Sequence, residues 1–312
     1  MKLADMASLF DKGHRRWHMV GSDDAGVAVG LDLEGRLFAV IQGHVLNRVN
    51  PEAFLKTSTS AAYINPGGDG LWPAPEGSTL GYQYSTPAWR VPPGLTSARY
   101  VVLQSSPTSA VVRAEVDLIN ARGVGVPAAF ERHIQVTPTA AGSNVQVTEI
   151  IEYLGRRPLR SEDALLVPWT LCQFDSGPGS FVCFPDTGPA SVWDLYEASD
   201  ARRTTDGRMV RTCTAGGPRY QLGLSPAVGW IEYRNPSTGL VVHRTAAHGV
   251  APGLLVVDVD PTEVVGRVLD AQPSAELKPH GLVVAEIPYR ADQRELLAVL
   301  VLAVPVLLGG QV

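Results

Sequence analysis

Two carboxylates bracket a tryptophan in the segment INPGGDGLWPAPEG, from Ile64 to Gly77. Asp69 and Glu76 can accept hydrogen bonds from hydroxyl groups, and the indole of Trp72 offers a flat apolar face between them. Pro73 and Pro75 fix φ, and Trp72 is pushed toward an extended shape by the proline after it. Gly67 and Gly68 admit backbone angles closed to other residues and let a second chain or a ligand approach closely. A stiff aromatic plane flanked by acids is one way to hold a sugar ring, with its C–H face on the indole and its hydroxyls on the acids. The same residues equally suit a tryptophan plug at the open end of a β-sandwich, with Asp69 as a turn residue.

Other groups with chemical reach are scattered. In FERHIQV, Arg132 and His133 alternate, so only one of them can face a given side of a strand. An inward Arg132 could hold a carboxylate or phosphate of a substrate. His243 and His248 stand five apart in HRTAAH, on opposite faces of a regular strand, so no metal site is expected there. His248, at a strand end before Gly249, is a candidate acid. Glu286 lies among apolar residues in LVVAEIPY; turned inward it would have a raised pKa and could act as a base. There is no Gly-x-Ser-x-Gly elbow for a serine nucleophile. GxGxxG and Walker loops are also missing, so no nucleotide cofactor is expected.

The elements that must position these groups read as strands. Runs of Val, Ile, Leu, Thr and Tyr, ended by Gly, Pro, Asn or Asp, recur along the chain. SAVVRAEVDLIN and SNVQVTEIIEYLG alternate cleanly, with Arg113, Glu115, Gln146 and Thr148 outward. Helical periodicity is confined to LADMASLFDKGH near the start. The pattern predicts an all-β chain, a large antiparallel β-sandwich forming a single domain over 1–312. Residues 1–25 form an N-terminal extension, and 50–93, dense in proline and glycine, form a long loop that carries the Trp72 motif.

The 312 residues are 45% hydrophobic and 18% charged, with a formal net charge of −5, so no basic stripe marks a nucleic-acid partner. Cys172, Cys183 and Cys213 have no metal or disulfide spacing and read as thiols in a reducing compartment. The start lacks the apolar core of a secretory signal, which points to the cytoplasm. The apolar run Leu296–Leu308 is too short to span a membrane and is broken by Pro305. It is expected to be a buried last strand, and if it lay at a sheet edge, a homodimer would be one way to cover it.

The block GGDGLWPAPEG resembles the signature of an uncharacterised family, a domain of unknown function within the galactose-mutarotase-like β-supersandwich superfamily. GRLFAVIQGHVLN, VTEIIEYLGRRPLRSEDALLVPWTLCQF and GWIEYRNPSTGLVVHRTA resemble further segments of it, in order, from about residue 26 to 304. The resemblance implies a supersandwich whose concave face binds a small carbohydrate. Superfamily mutarotases use a histidine as acid and a glutamate as base, because opening a hemiacetal needs one proton delivered and one removed. Here the position comparable to that histidine reads Val167-Pro168-Trp169. The expectation is therefore a sugar or sugar-derivative binder, with epimerase-type exchange through His248 and Glu286. Asp69, Trp72, Glu76, Arg132 and Trp169 would contact the substrate. The alternatives are a non-catalytic sugar-sensing or structural sandwich that has lost its acid, and a polysaccharide lyase or glycoside hydrolase, which would need a long groove and export.

Overall fold

The computed structural model describes residues 1–59, 62–74, 82, 91–140, 142–157, 159–160, 162–164, 166–194, 198–215, 220–224, 226–247, 255–259 and 300–307. In chain order these form helix α1 (Leu3–Lys12) and strands β1 (Trp17–Gly21), β2 (Ala25–Gly30), β3 (Arg36–Ile41) and β4 (His44–Val45). Helix α2 (Pro51–Leu55), β5 (Asp69–Ala74) and helix α3 (Pro93–Thr96) follow. Next come β6 (Val101–Ser105), β7 (Ser109–Ile119), β8 (Gly125–Thr139), β9 (Gly142–Tyr153) and β10 (Val167–Cys172). The rest comprises β11 (Phe181–Pro185), β12 (Val192–Asp194), β13 (Arg203–Thr205), β14 (Met209–Cys213) and β15 (Tyr220–Leu224), then β16 (Trp230–Asn235), β17 (Leu240–Ala247), β18 (Leu255–Val259) and β19 (Leu300–Leu307). No helix among the described residues is long and apolar enough to cross a membrane.

Among the described residues every strand pairing is antiparallel, in three sheets. The base is a ten-stranded sheet ordered β13-β14-β11-β16-β17-β19-β9-β8-β7-β6. A six-stranded sheet runs β1-β2-β3-β5-β10, with β4 on β3, and a three-stranded sheet runs β12-β15-β18. Alternation decides what each strand buries. Along β7, Ala110, Val112, Ala114, Val116 and Leu118 face inward, and along β8, Ala128, Phe130, Ile134 and Val136 do the same. They pack on Val20, Val27, Val29, Leu37 and Leu71 of the six-stranded sheet. Each such side chain, fully enclosed, contributes on the order of 1.5–3 kcal/mol of hydrophobic free energy.

The other half of the base sheet, through Val182, Phe184 and Val210, packs on Tyr220, Leu222 and Leu224 of the three-stranded sheet. A small cluster of Ile41, Leu240 and Val242, with Phe174 and Tyr233 against it, lies where the two halves meet. Strand β2 is buried on both faces, because Ala28 meets α1 and α2 while Val27 and Val29 meet the base sheet. Helix α1 forms where the helical period was read, with Leu3, Met6 and Phe10 as its buried stripe.

One expectation takes a different shape and another takes a definite place. The segment read as loop contains α2 and β5, and the Trp72 motif begins as a strand paired with β10. The apolar terminal run supplies β19, which is not an edge: it is hydrogen-bonded to β17 on one side and β9 on the other. Its apolar composition is that of a strand inside a sheet.

Candidate functional site

Arg132 interrupts the apolar inward row of β8, and its side chain is fully enclosed. A buried guanidinium must find partners for its donors. Nη1 donates to the main-chain carbonyls of Asp69 at 2.7 Å and Gly35 at 3.1 Å. Nη2 donates to Asp69 Oδ1 at 2.7 Å and to Glu149 Oε1 at 2.5 Å. Glu149 enters from the inward row of β9, after Val145 and Val147, and its other oxygen accepts a hydrogen bond from Thr170 of β10. The second oxygen of Asp69 lies 3.1 Å from Nη2 of Arg244, an inward residue of β17. Cys172, the Cα partner of Asp69 across the β5–β10 pair, hydrogen-bonds it with its thiol. Side chains from three strands of two sheets thus converge on the one carboxylate that β5 supplies.

The two acids of this cluster titrate in opposite directions. Burial alone would raise the Asp69 carboxyl, but Arg244 and Arg132 outweigh it and hold Asp69 below the ordinary carboxylate range. Burial raises the Glu149 carboxyl against the pull of Arg132, and the charge on Asp69 adds to the rise. A carboxylate kept ionised beside one pushed toward its acid form is the arrangement that separates a base from an acid. Glu149 is fully enclosed, whereas Asp69 borders a cavity of about 30 Å³ lined by Asn47, Cys172, Phe174, Val145 and Val147. That volume suits a water molecule, not a sugar ring.

A second polar knot stands at the start of β3. Glu34, a non-glycine residue at φ 56°, presents its carboxylate to three donors. These are Arg36 at 2.8 Å, Tyr63 at 3.1 Å and the indole N–H of Trp72 at 3.4 Å. Trp72 is 8% exposed, with the Arg36 guanidinium 5.4 Å from its ring centre and Tyr63 edge-on at 5.9 Å. Its indole is packed in the core.

The residues singled out from sequence therefore separate. Asp69 and Arg132 come together. Trp169 is half-buried on β10 opposite Trp72. Glu76, His248 and Glu286 lie outside the described residues. The sequence reading missed Glu149, Arg244 and Thr170, which complete the cluster. It also missed a wall just past β10: Phe174 stacks on Tyr233 at 5.6 Å, Tyr233 donates to the Asp175 carbonyl at 2.7 Å, and Arg48 lies 4.0 Å from the exposed Asp175 carboxylate. The histidines His18, His44, His133 and His243 take their partners away from Asp69. Among the described residues no three His, Cys, Asp or Glu side chains converge as metal ligands.

No protein-family model matches the chain, and no curated protein does either. Among solved structures, a galactose mutarotase-like protein from Lactobacillus casei aligns over 93% of this chain and 100% of its own, with a TM-score of 0.51 at 10% identity. A protein from Synechocystis aligns over 80% of this chain and 83% of its own, with a TM-score of 0.48 at 13% identity. A candidate aldose 1-epimerase from Escherichia coli aligns over 74% and 77%, with a TM-score of 0.47 at 12% identity. The fold is all-β and galactose mutarotase-like.

Proposed function

We propose that the protein binds a small sugar or sugar derivative beside the β5–β10 pair and exchanges protons at its anomeric centre. The observation that carries this reading is the galactose mutarotase-like fold, in which Asp69, held by Arg132 and Arg244, borders a cavity at the β5–β10 pair. Asp69 is the acceptor that reaches the cavity, and Arg132 with Arg244 fixes its orientation. The Phe174–Tyr233 stack offers an apolar face to a ring, and Arg48 with Asp175 offers partners for its hydroxyls, while the half-buried Trp169 stands on the opposite face of β10 from Thr170 and Cys172. Trp72, enclosed in the core, supports this region from within, and Glu76, outside the described residues, is a further candidate acceptor for a hydroxyl. His248 and Glu286 supply the exchanging acid and base in this scheme, since opening and reclosing a hemiacetal needs both roles.

A second reading, binding without turnover, is favoured by Val167-Pro168-Trp169 standing where the resemblance implies a histidine. One set of measurements separates the two. A thermal-shift screen against monosaccharides, sugar acids and sugar phosphates finds the ligand: at about 100 times its dissociation constant it adds about 2.7 kcal/mol. Polarimetry on a freshly dissolved single anomer of that sugar then reads exchange. Accelerated mutarotation supports the enzyme; a thermal shift with unchanged mutarotation supports the binder. No shift anywhere in the panel overturns both.

A further inference from the structure

The outward face of the ten-stranded sheet carries a second polar surface, on the opposite side from Asp69. Register defines a row across it: Ser109 stands opposite Gln135, Gln135 opposite Gln146, Gln146 opposite Ala303, Ala303 opposite Thr245, and Thr245 opposite Trp230. At about 4.8 Å between strands, this row of six positions is roughly 24 Å long. In the neighbouring row Gln104 stands opposite Val111, Val111 opposite His133, and His133 opposite Thr148. Gln104, Ser109, His133, Gln135, Gln146 and Thr148 line a groove of about 380 Å³ at this end of the face. Gln135 and Gln146 are exposed at its centre.

The chemistry of the lining is unusual for a solvated sheet face, where Lys and Glu are ordinary. It interleaves the amides and hydroxyls of Gln104, Ser109, Gln135, Gln146 and Thr148, each able to donate and accept, with the apolar Val111, against which the C–H face of a sugar can lie, and with Ala110 and Ile134, whose side chains turn inward. Its one titratable member, His133, is held through Nε2 by Glu131 Oε1 at 2.5 Å, and the other oxygen of Glu131 takes Arg113 at 3.0 Å. An anionic or cationic ligand would therefore meet no opposing free charge in the groove. A protein partner would want a large apolar anchor at the centre of the patch, and the centre is glutamine. The only large aromatic in the row, Trp230, is at its far end, where its ring lies 4.8 Å from that of His243.

We propose that this face binds a neutral, extended oligosaccharide laid across the strands, with its hydroxyls on Gln135, Gln146 and Thr148. The site is independent of the monosaccharide site beside β10. The test is titration calorimetry of the full-length protein with cellohexaose, maltohexaose and a β-1,4-galactohexaose, repeated on the double variant Gln135→Ala, Gln146→Ala. Both residues are exposed, so the variant folds. The expected result is binding of at least one hexasaccharide, weakened roughly tenfold or more in the variant, because each lost hydrogen bond is worth about 1 kcal/mol. Any monosaccharide thermal shift is expected to persist in the variant, which keeps this outcome separate from the fate of the β10 site. The proposal is overturned if none of the three hexasaccharides binds, or if the variant binds them as tightly as wild type. It is also overturned if light scattering finds a wild-type oligomer that the double variant dissolves, since the face would then be a protein interface.

Discussion

Asp69 and Glu149 share one nitrogen of Arg132 and yet pull the pH dependence of stability in opposite senses. For Asp69 the folded pKa is depressed. Its contribution is full above about pH 4, the ordinary aspartate value, and is lost as pH falls through the lower folded value. For Glu149 the folded pKa is raised. The folded state then holds a proton that the unfolded state gives up above about pH 4.3, so its contribution is largest in acid and declines as pH rises through the folded value. Urea unfolding of Asp69→Asn and Glu149→Gln at intervals from pH 3 to 8 reads both signs. The deficit of Asp69→Asn is expected to be about 3–5 kcal/mol at neutral pH, because Arg132 and Arg244 lose their shared anion, and to narrow in acid. The stability of wild type relative to Glu149→Gln is expected to fall as pH rises; parallel curves for these two proteins would refute the assignment of Glu149. Much of this was available in the sequence. Alternation in NVQVTEIIEY placed Gln146 and Thr148 outward, and that same parity turns Glu149 inward beside Val145 and Val147. In FERHIQV, Arg132 is one of two adjacent residues of which only one can face in. Its partner Asp69 lies 63 positions away in sequence, and Arg244, the second cation on Asp69, lies 112 positions from Arg132; strand periodicity carries no information about which strands meet.

At the scale of elements, β5 explains the crowding of glycine and proline around Trp72. Gly67 has φ 82°, and a Cβ there would lie 2.1 Å from the Arg48 carbonyl oxygen. The chain passes Arg48 closely enough for Gly68 N–H to donate to that carbonyl at 2.9 Å. Gly67→Ala adds left-handed strain to a main-chain clash, and its expected cost is about 3 kcal/mol in a urea melt; a loss under about 0.5 kcal/mol would show that the crossing can relax. The prolines have a different origin. Pro73 and Pro168 are Cα partners across the β5–β10 pair. Two residues without N–H can face each other only at a position where the ladder needs no bond between them. β10 is the sheet's edge, and β3 pairs with β5 only at Leu37 and Asp69, so neither proline is asked for a hydrogen bond on its far side. A strand with one partner over most of its length tolerates the residues that signal a loop, which is why proline and glycine density concealed it. β7, β8 and β9, paired along their full length, kept the regular alternation that made them legible.

On the scale of the molecule, the last described strand closes the architecture. β19 pairs with β9 from Leu300 opposite Glu149 to Leu307 opposite Gly142, and with β17 from Val301 opposite Ala247 to Val306 opposite Val242. It joins the half of the base sheet covered by six strands to the half covered by three. Glu149 and Arg244, which meet around Asp69, lie on the two strands it separates, so the spacing of the charged cluster depends on β19 as a wedge. Its apolar sequence is legible as buried, but its place between strands more than 50 residues earlier is not, because apolar composition does not specify a neighbour. A chain ending at residue 299 would leave β9 and β17 with bare edges, each a template for pairing with another molecule. The expected outcome is loss of a single cooperative transition in urea, with aggregation by light scattering. Co-expression of a fragment beginning at Leu300 is expected to recover soluble protein. A truncated chain that stayed monomeric and unfolded at the wild-type midpoint would mean that the two halves of the sheet are held by their covering layers alone. The wedge would then have no part in setting the distance between Glu149 and Arg244.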